Sequence, residues 1–67
     1  MTINEVKARI DSIRNMIGDD EIAHGLEDKL YRDYIFYIAS TMAGTEAGDM
    51  ARLILTTQDL QFSRWCA

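Results

Sequence analysis

The sequence has only one cysteine and no long apolar run, and each of these absences excludes a class of structure; it also contains no proline. Cys66 is the only cysteine, so no disulfide can form within the chain. No apolar run approaches the ~20 residues that span a bilayer, and the first residues lack the basic head and apolar stretch of a signal peptide. We therefore expect a cytoplasmic protein with no membrane segment.

Positive charge is also scarce, because 11 acidic residues outnumber 7 Lys and Arg and give a net charge of -4. Residues 19–33 hold six acids and two bases, so their own net charge is -4 and the rest of the chain is balanced. Direct nucleic-acid binding would need a clustered excess of Lys and Arg instead. The charge excludes that function and leaves, as an alternative, an acidic mimic or regulator that acts on a nucleic-acid-binding protein.

The 67 residues predict one small domain, residues 1–67, and the hydrophobic fraction of 48% excludes wholesale disorder. A domain of this size buries only about 60% of the surface that its unfolded chain exposes. Small scaffolds compensate with disulfides, a metal, regular helix packing or oligomerisation. Since disulfides are excluded, regular helices, self-association and a metal remain.

Every strong local pattern is helical, beginning with a helix over about residues 3–17. Thr2 and Glu5 form a capping box at its start, and Gly18 is a left-handed cap at its end. Between them, apolar residues recur at spacings of three and four, which is typical of a core face and also of a coiled-coil partner face. That stripe consists of Ile3, Val6, Ile10, Ile13 and Ile17.

A second helix is predicted over about residues 20–42. Asp19 or Asp20 caps it, and the acids of the first turn complement the positive end of the helix dipole. The short connection predicts an antiparallel αα-hairpin with the first helix. Ile35 and Phe36 fall outside the broad apolar face of this helix. The face itself consists of Ile22, Ala23, Leu26, Leu30, Tyr34, Tyr37 and Ile38.

Two shorter helices, over about 46–56 and 58–65, are predicted to close the hairpin into an all-α, three- to four-helix bundle. Thr45 or Gly48 starts the first of them, and Thr56 with Asp59 caps the second. One apolar side of the third helix is formed by Ala47, Met50, Ala51, Leu53, Ile54 and Leu55, and Leu60, Phe62 and Trp65 belong to the fourth.

Glu21 and His24 form a Glu-x-x-His pair, the spacing at which di-iron bundles present two ligands, and Asp28 lies four residues further on. Such bundles also need inward glutamates from two further helices, whereas Glu5 and Asp11 lie on the outer face of the first helix. Acids at a helix start need no metal to explain them. We therefore predict no metal and no cofactor, and keep a metal-binding helical dimer as the weaker alternative.

No catalytic residue is predicted, because no nucleophile elbow, glycine-rich phosphate loop or cofactor motif occurs. Aromatic residues are enriched at binding hot spots, and the second helix concentrates them. Tyr34 and Tyr37 equally fit core positions with their hydroxyls at the rim, while Tyr31 is expected to be exposed. The residues predicted to make an interaction are Tyr31, Tyr34, Phe36, Tyr37, Arg64 and Trp65.

The Asp-Asp-Glu-x-Ala-His run at 19–24, the acids Glu27 and Asp28 and the Phe-x-Arg-Trp run at 62–65 resemble a group of small uncharacterised bacterial and prophage-type proteins. That group has no established activity, and the resemblance implies a phage or prophage origin. Arg64 is expected to pair with Glu27 or Asp28. Together these features predict a non-enzymatic protein-interaction module, a homodimer that binds a host or partner protein.

Overall fold

A computed structural model describes residues 1–60, and within them every regular element is helical. Helix α1 spans Ile3–Arg14, α2 spans Asp20–Thr41 and α3 spans Glu46–Leu55, followed directly by a 3₁₀ helix over Thr56–Asp59. No strand occurs in these 60 residues, so the all-α class is confirmed there. The described chain falls into two compact units, residues 1–31 and residues 32–60, and α2 contributes to both.

In the first unit, α1 begins where the sequence predicts and ends three residues early. The Thr2 hydroxyl accepts a hydrogen bond from the Glu5 amide at 3.1 Å. After Arg14, the amides of Met16 and Ile17 bond to carbonyls three residues back, at 3.0 and 3.3 Å, so the last turn tightens. Gly18 follows with a φ of 108°. The predicted end at residue 17 was wrong, and Ile17 lies beyond the helix with 76% of its surface exposed.

Helix α2 begins with Asp19 as its cap, because the Asp19 carboxylate accepts from the Ile22 amide at 3.3 Å. Leu30 is the buried side chain of the first unit, and Leu26 is half-buried one turn earlier on the same face. Val6 and Ile13 are the half-buried members of the α1 stripe. Ile22, which the periodicity placed on the apolar face, is exposed.

In the second unit, the covered side of α2 follows Ile35, Ile38 and Ala39, of which Ala39 is buried. The sequence prediction extended the face of the preceding turns to the end of the helix, which placed Tyr34 on it and Ile35 outside it. Instead Ile35 is half-buried and Tyr34 is exposed. Spacings of three and four place residues 35, 38 and 39 on one side, so they form a face of their own.

The connection from α2 to α3 is built by Met42, Gly44, Thr45 and Gly48. Gly44 has a φ of 87°, which favours glycine. The Met42 carbonyl accepts from the Thr45 amide at 3.1 Å and from the Thr45 hydroxyl at 2.6 Å. The Thr45 hydroxyl in turn accepts from the Gly48 amide at 3.1 Å and so caps α3. Gly48 and Ala51 are the buried residues of α3, hence small residues make its closest packing.

Beyond α3, the structure describes only residues 58–60 of the helix predicted over about 58–65, and these residues do not begin an α-helix. The backbone forms a short 3₁₀ helix and becomes extended at Leu60, with a ψ of 139°. The hydroxyls of Thr56 and Thr57 donate back to the carbonyls of Leu53 and Ile54, at 2.6 and 2.8 Å, and such bonds favour a helix end over a new helix start. Phe62, Arg64, Trp65 and Cys66 lie outside the described residues, as does the expected pairing of Arg64.

Within residues 1–60, no helix combines the length and the apolar character that crossing a membrane requires.

Candidate interaction surfaces

The acidic start of α2 places His24 beside Asp28, one helical turn further on. His24 Nε2 lies 3.3 Å from Asp28 Oδ2, a distance at which a protonated His24 would form an ion pair. The two groups are not aligned as a hydrogen bond, and Nε2 is shielded from solvent without a partner among the described residues. His24 and Asp28 are therefore in close contact without a hydrogen bond. Since both side chains are partly exposed, this contact contributes little to stability.

A metal site would need at least three ligands converging on one point. Among residues 1–60, no three His, Cys, Asp or Glu side chains converge in this way. Of the three low-probability candidates, only His24 and Asp28 meet, and Glu21 is exposed on the first turn of α2. Residues 1–60 of a single chain thus offer one contact pair, not a ligand set.

Tyr31 is an exposed aromatic residue whose hydroxyl group is held in place. It has 58% of its surface exposed, and its hydroxyl donates to Glu27 Oε2 at 3.2 Å. The negative charge of Glu27 raises the pKa of the Tyr31 hydroxyl, and the hydrogen bond to Glu27 and the charge of Asp28 raise it further. This arrangement keeps Tyr31 protonated and reduces the rotamer entropy that the ring would lose on contact with a partner.

The remaining aromatic residues of α2 lie in the second unit. The rings of Tyr34 and Tyr37 pack with centroids 6.2 Å apart and planes inclined at 36°. Tyr37 is half-buried, and Tyr34 and Phe36 are exposed. Aromatic pairs at this separation stabilise each other beyond simple burial. The pair therefore provides a firm support for the exposed ring of Tyr34.

The sequence prediction missed the exposed side of α3. Its apolar residues were assigned to a single apolar side, yet Met50, Leu53 and Ile54 are 51%, 69% and 52% exposed. The covered side is made by Gly48 and Ala51. The separation of large from small apolar residues on a helical projection was the signal that could have shown two faces.

Comparisons of the chain with protein-family models, with curated proteins and with solved structures find no match. Neither the resemblance to prophage-type proteins nor a catalytic activity gains support from them. Of the residues predicted to interact, Tyr31, Tyr34, Phe36 and Tyr37 are at least partly accessible, and Arg64 and Trp65 are outside the described part.

Proposed function

We propose that this chain is a small, non-enzymatic protein-interaction module that associates with itself. Through the surface that self-association leaves exposed, it binds a host or partner protein. One observation carries the proposal: each helix exposes large apolar side chains that an isolated soluble domain would be expected to cover. They are Ile3 and Ile10 on α1, Tyr31, Tyr34 and Phe36 on α2, and Met50, Leu53 and Ile54 on α3.

The covered residues explain why association would help this chain. The buried apolar residues within residues 1–60 are Leu30, Ala39 and Ala51, and two of these are alanines. Burial stabilises by about 25 cal/mol per Å² of apolar surface, while ordering the backbone costs about 1–2 kcal/mol per residue. A second chain that covers exposed apolar side chains adds burial without ordering more of the first chain, and binding to the folded form raises its stability.

Several polar side chains of residues 1–60 cap a helix or hold another side chain, which supports an interaction module over an enzyme. Thr2, Asp19 and Thr45 cap the three helices. Glu27 holds the Tyr31 hydroxyl. Capping a helix and holding a hydroxyl stabilise the fold, whereas catalysis needs a nucleophile, a base and a substrate position within reach of one another.

Sedimentation velocity over a concentration series, with and without a chelator, tests the proposal. We expect the mass to rise from monomer to dimer with concentration, and the chelator to leave that rise unchanged. Binding of an apolar fluorescent dye, measured at the lowest concentration, reports whether the monomer exposes apolar surface.

A monomer at every concentration that binds no dye would overturn the proposal, because its apolar side chains would then be covered within one chain. A monomer that binds the dye would overturn self-association and leave the exposed surface open to a different protein. A dimer that a chelator dissociates would favour the metal-binding alternative built on Glu21 and His24.

A further inference from the structure

Resting on the proposed self-association, we infer that two copies of this chain pair through their first units, with α1 of each copy docked on the acidic start of α2 of the other. The contact joins two accessible strips of side chains, one on each helix. The α1 strip consists of Ile3, Lys7, Ile10 and Arg14. The α2 strip consists of Asp20, Glu21, His24, Glu27, Asp28 and Tyr31.

The α1 strip is a line of isoleucines with basic residues along one side of it. Ile3 and Ile10 are 75% and 42% exposed. At about 100° per residue, Lys7 and Arg14 lie within about 60° of these isoleucines, and both are exposed. Each pair repeats after seven residues, or two helical turns, so apolar and basic side chains run side by side along the helix.

The basic residues determine what can cover the isoleucines. Within residues 1–60 Lys7 forms no ion pair, and Arg14 pairs with Asp11 at 2.8 Å. Both partners of that pair are 66% exposed, and exposed ion pairs are weak, so a second carboxylate can approach Arg14. Two α1 strips in contact would bring four positive charges together, and like charges along a helical interface oppose such a pairing. The occupant that fits is acidic.

The start of α2 carries the complementary pattern. Its two rings, His24 and Tyr31, lie seven residues apart, and on either side of them acidic residues also repeat after seven. At about 100° per residue, all four acids lie within about 80° of the direction of Tyr31. The acids are Asp20 with Glu27 on one side and Glu21 with Asp28 on the other.

Both strips are open to solvent in a single chain. Tyr31 is 58% exposed, and the side chains of Arg14 and Asp28 are 66% and 55% exposed. Residues 1–18 hold three bases and two acids (+1), and residues 19–33 have a net charge of -4. Each first unit therefore presents both the basic and the acidic partner, and a second copy can cover both strips at once.

The turn between α1 and α2 makes the two strips match in register. Since α1 ends at Arg14 and α2 begins at Asp20, the turn is centred on residue 17. So short a turn favours an antiparallel hairpin, in which positions whose numbers add up to about 34 lie at the same height. A twofold axis parallel to the helices leaves every height unchanged, so the same positions meet between the two copies.

In this register isoleucines meet rings and basic residues meet acids. The pairs are Ile3 with Tyr31, Ile10 with His24, Lys7 with Glu27 and Asp28, and Arg14 with Asp20 and Glu21. One rotation thus satisfies every member of both strips. A twofold axis perpendicular to the helices would instead place α1 on α1, which the basic residues oppose.

A closed dimer also needs both strips on one side of the hairpin. On α1 the isoleucines lie about 60° round the helix from the half-buried Val6 and Ile13, and on α2 Tyr31 lies about 100° from the buried Leu30. Both displacements have the same rotational sense. Because the helices of a hairpin run in opposite directions, these rotations turn both strips to the same side when the covered sides face each other. Two α1–α2 contacts then close the dimer.

Reversing one charge tests the contact. Lys7→Glu should weaken the dimer about 2- to 30-fold, because an exposed pair becomes repulsive at both contacts. Adding Asp28→Lys to the same chain should restore the dissociation constant toward the wild-type value. Arg52→Glu is the matched control, since Arg52 is an exposed basic residue of α3 in the second unit, and should leave the constant unchanged. Sedimentation equilibrium measures the constants, and circular dichroism verifies the helical content of each variant.

Cysteine pairing tests the register. In a Cys66→Ala background, Ile3→Cys chains mixed with Tyr31→Cys chains under oxidised glutathione should form the mixed disulfide, because a disulfide requires Cα atoms within about 7 Å. Ile3→Cys chains alone should not pair, since the two α1 helices do not face each other. Leu53→Cys, exposed in the second unit, is the control when mixed with either chain. Mass spectrometry under non-reducing conditions identifies the products.

The failure of this inference differs from the failure of the proposed function. A wild-type monomer at every concentration overturns self-association and this contact with it. A wild-type dimer that Lys7→Glu and Arg52→Glu weaken alike overturns the contact and leaves self-association standing. A mixed disulfide no more abundant than those with Leu53→Cys, or one that Ile3→Cys chains match among themselves, also overturns the contact.

Discussion

Gly48 lies so close to Met42 that a Cβ atom at position 48 would overlap the Met42 carbonyl oxygen and stand 2.5 Å from its carbonyl carbon. The same carbonyl accepts two hydrogen bonds from Thr45, one from its amide and one from its hydroxyl. These three residues therefore form one compact turn in which backbone atoms fix the direction of α3 as it leaves α2. The exposed side of α3 depends on that turn.

Gly48→Ala should lower the free energy of unfolding by about 1–3 kcal/mol, the usual cost of overfilling a packed site. Alanine is the better helix former by ~1 kcal/mol, but the clash is with backbone atoms and cannot be relieved by moving a flexible side chain. Urea unfolding followed by circular dichroism measures the change.

Gly25→Ala is the matched control, because Gly25 also lies inside a helix and a Cβ atom there meets nothing within 4 Å. It should raise the free energy of unfolding by about 0.5–1 kcal/mol through helix propensity alone. If both variants were stabilised alike, the close approach of Gly48 to Met42 would not exist in solution.

Thr45→Ala should cost about 1–2 kcal/mol of stability. The substitution removes the acceptor for the Gly48 amide and the donor to the Met42 carbonyl, and loss of an N-cap alone costs about 1 kcal/mol. Thr45→Ser keeps the hydroxyl and should stay within a few tenths of a kcal/mol of the wild type. Thermal unfolding of the pair measures the difference, and equal melting temperatures for Ala and Ser would contradict the cap.

Glu27→Gln should lower the pKa of Tyr31 toward its ordinary value, because the charge of Glu27 is the largest cause of the upward shift. Glutamine can still accept the hydroxyl's hydrogen bond, so the experiment isolates the charge. Ultraviolet absorbance of the tyrosinate follows the titration in a background of Tyr34→Phe and Tyr37→Phe, in which Tyr31 is the only tyrosine. Asp28→Asn should produce a smaller decrease, since Asp28 is the last of the causes.

The raised pKa of Tyr31 also determines whether stability rises or falls with alkaline pH. The folded chain holds the Tyr31 proton more tightly than the unfolded chain, for which the ordinary pKa is 10.0. The associated stabilisation is fully present below about pH 10. As pH rises further the unfolded chain loses this proton first, so stability falls until the folded hydroxyl also deprotonates. Glu27→Gln should reduce this alkaline loss, which unfolding curves at several alkaline pH values would show.

The helix starts were predictable from sequence because capping is local chemistry. Thr2, Asp19 and Thr45 each accept a hydrogen bond from an amide three residues ahead. Thr2 is the predicted cap, and Asp19 and Thr45 are each one of the two residues that the sequence offered. The exposure of Tyr31 was also predictable, since it lies away from the apolar stripe and beside acids. These features depend on neighbours within one turn of helix.

The predictions that failed concern features that depend on packing contacts beyond one turn of helix. Periodicity placed Tyr34 on the apolar face and Ile35 off it, but Ile35 joins Ile38 and Ala39 on the side that the second unit covers. Periodicity also grouped the large apolar residues of α3 with the small ones on one side, but the covered side lacks Met50, Leu53 and Ile54. The close approach of Gly48 to Met42 selects the small residues for that side instead, and helix spacing alone carries no signal for such a contact.

The early end of α1 gives the last prediction, because Gly18 adopts a φ of 108° in the turn that follows it. Residues that carry a Cβ atom rarely adopt such a backbone conformation, so Gly18→Ala should lower the free energy of unfolding by about 1–2 kcal/mol. A Cβ atom there meets nothing within 4 Å, hence the cost would come from the backbone alone. Gly18→Asn should cost less than Gly18→Ala, since asparagine tolerates positive φ better. Urea unfolding of the two variants beside Gly25→Ala separates backbone strain from helix propensity. If Gly18→Ala behaved like Gly25→Ala, the turn would not require a positive φ, and α1 could continue to Ile17 as its periodicity predicts.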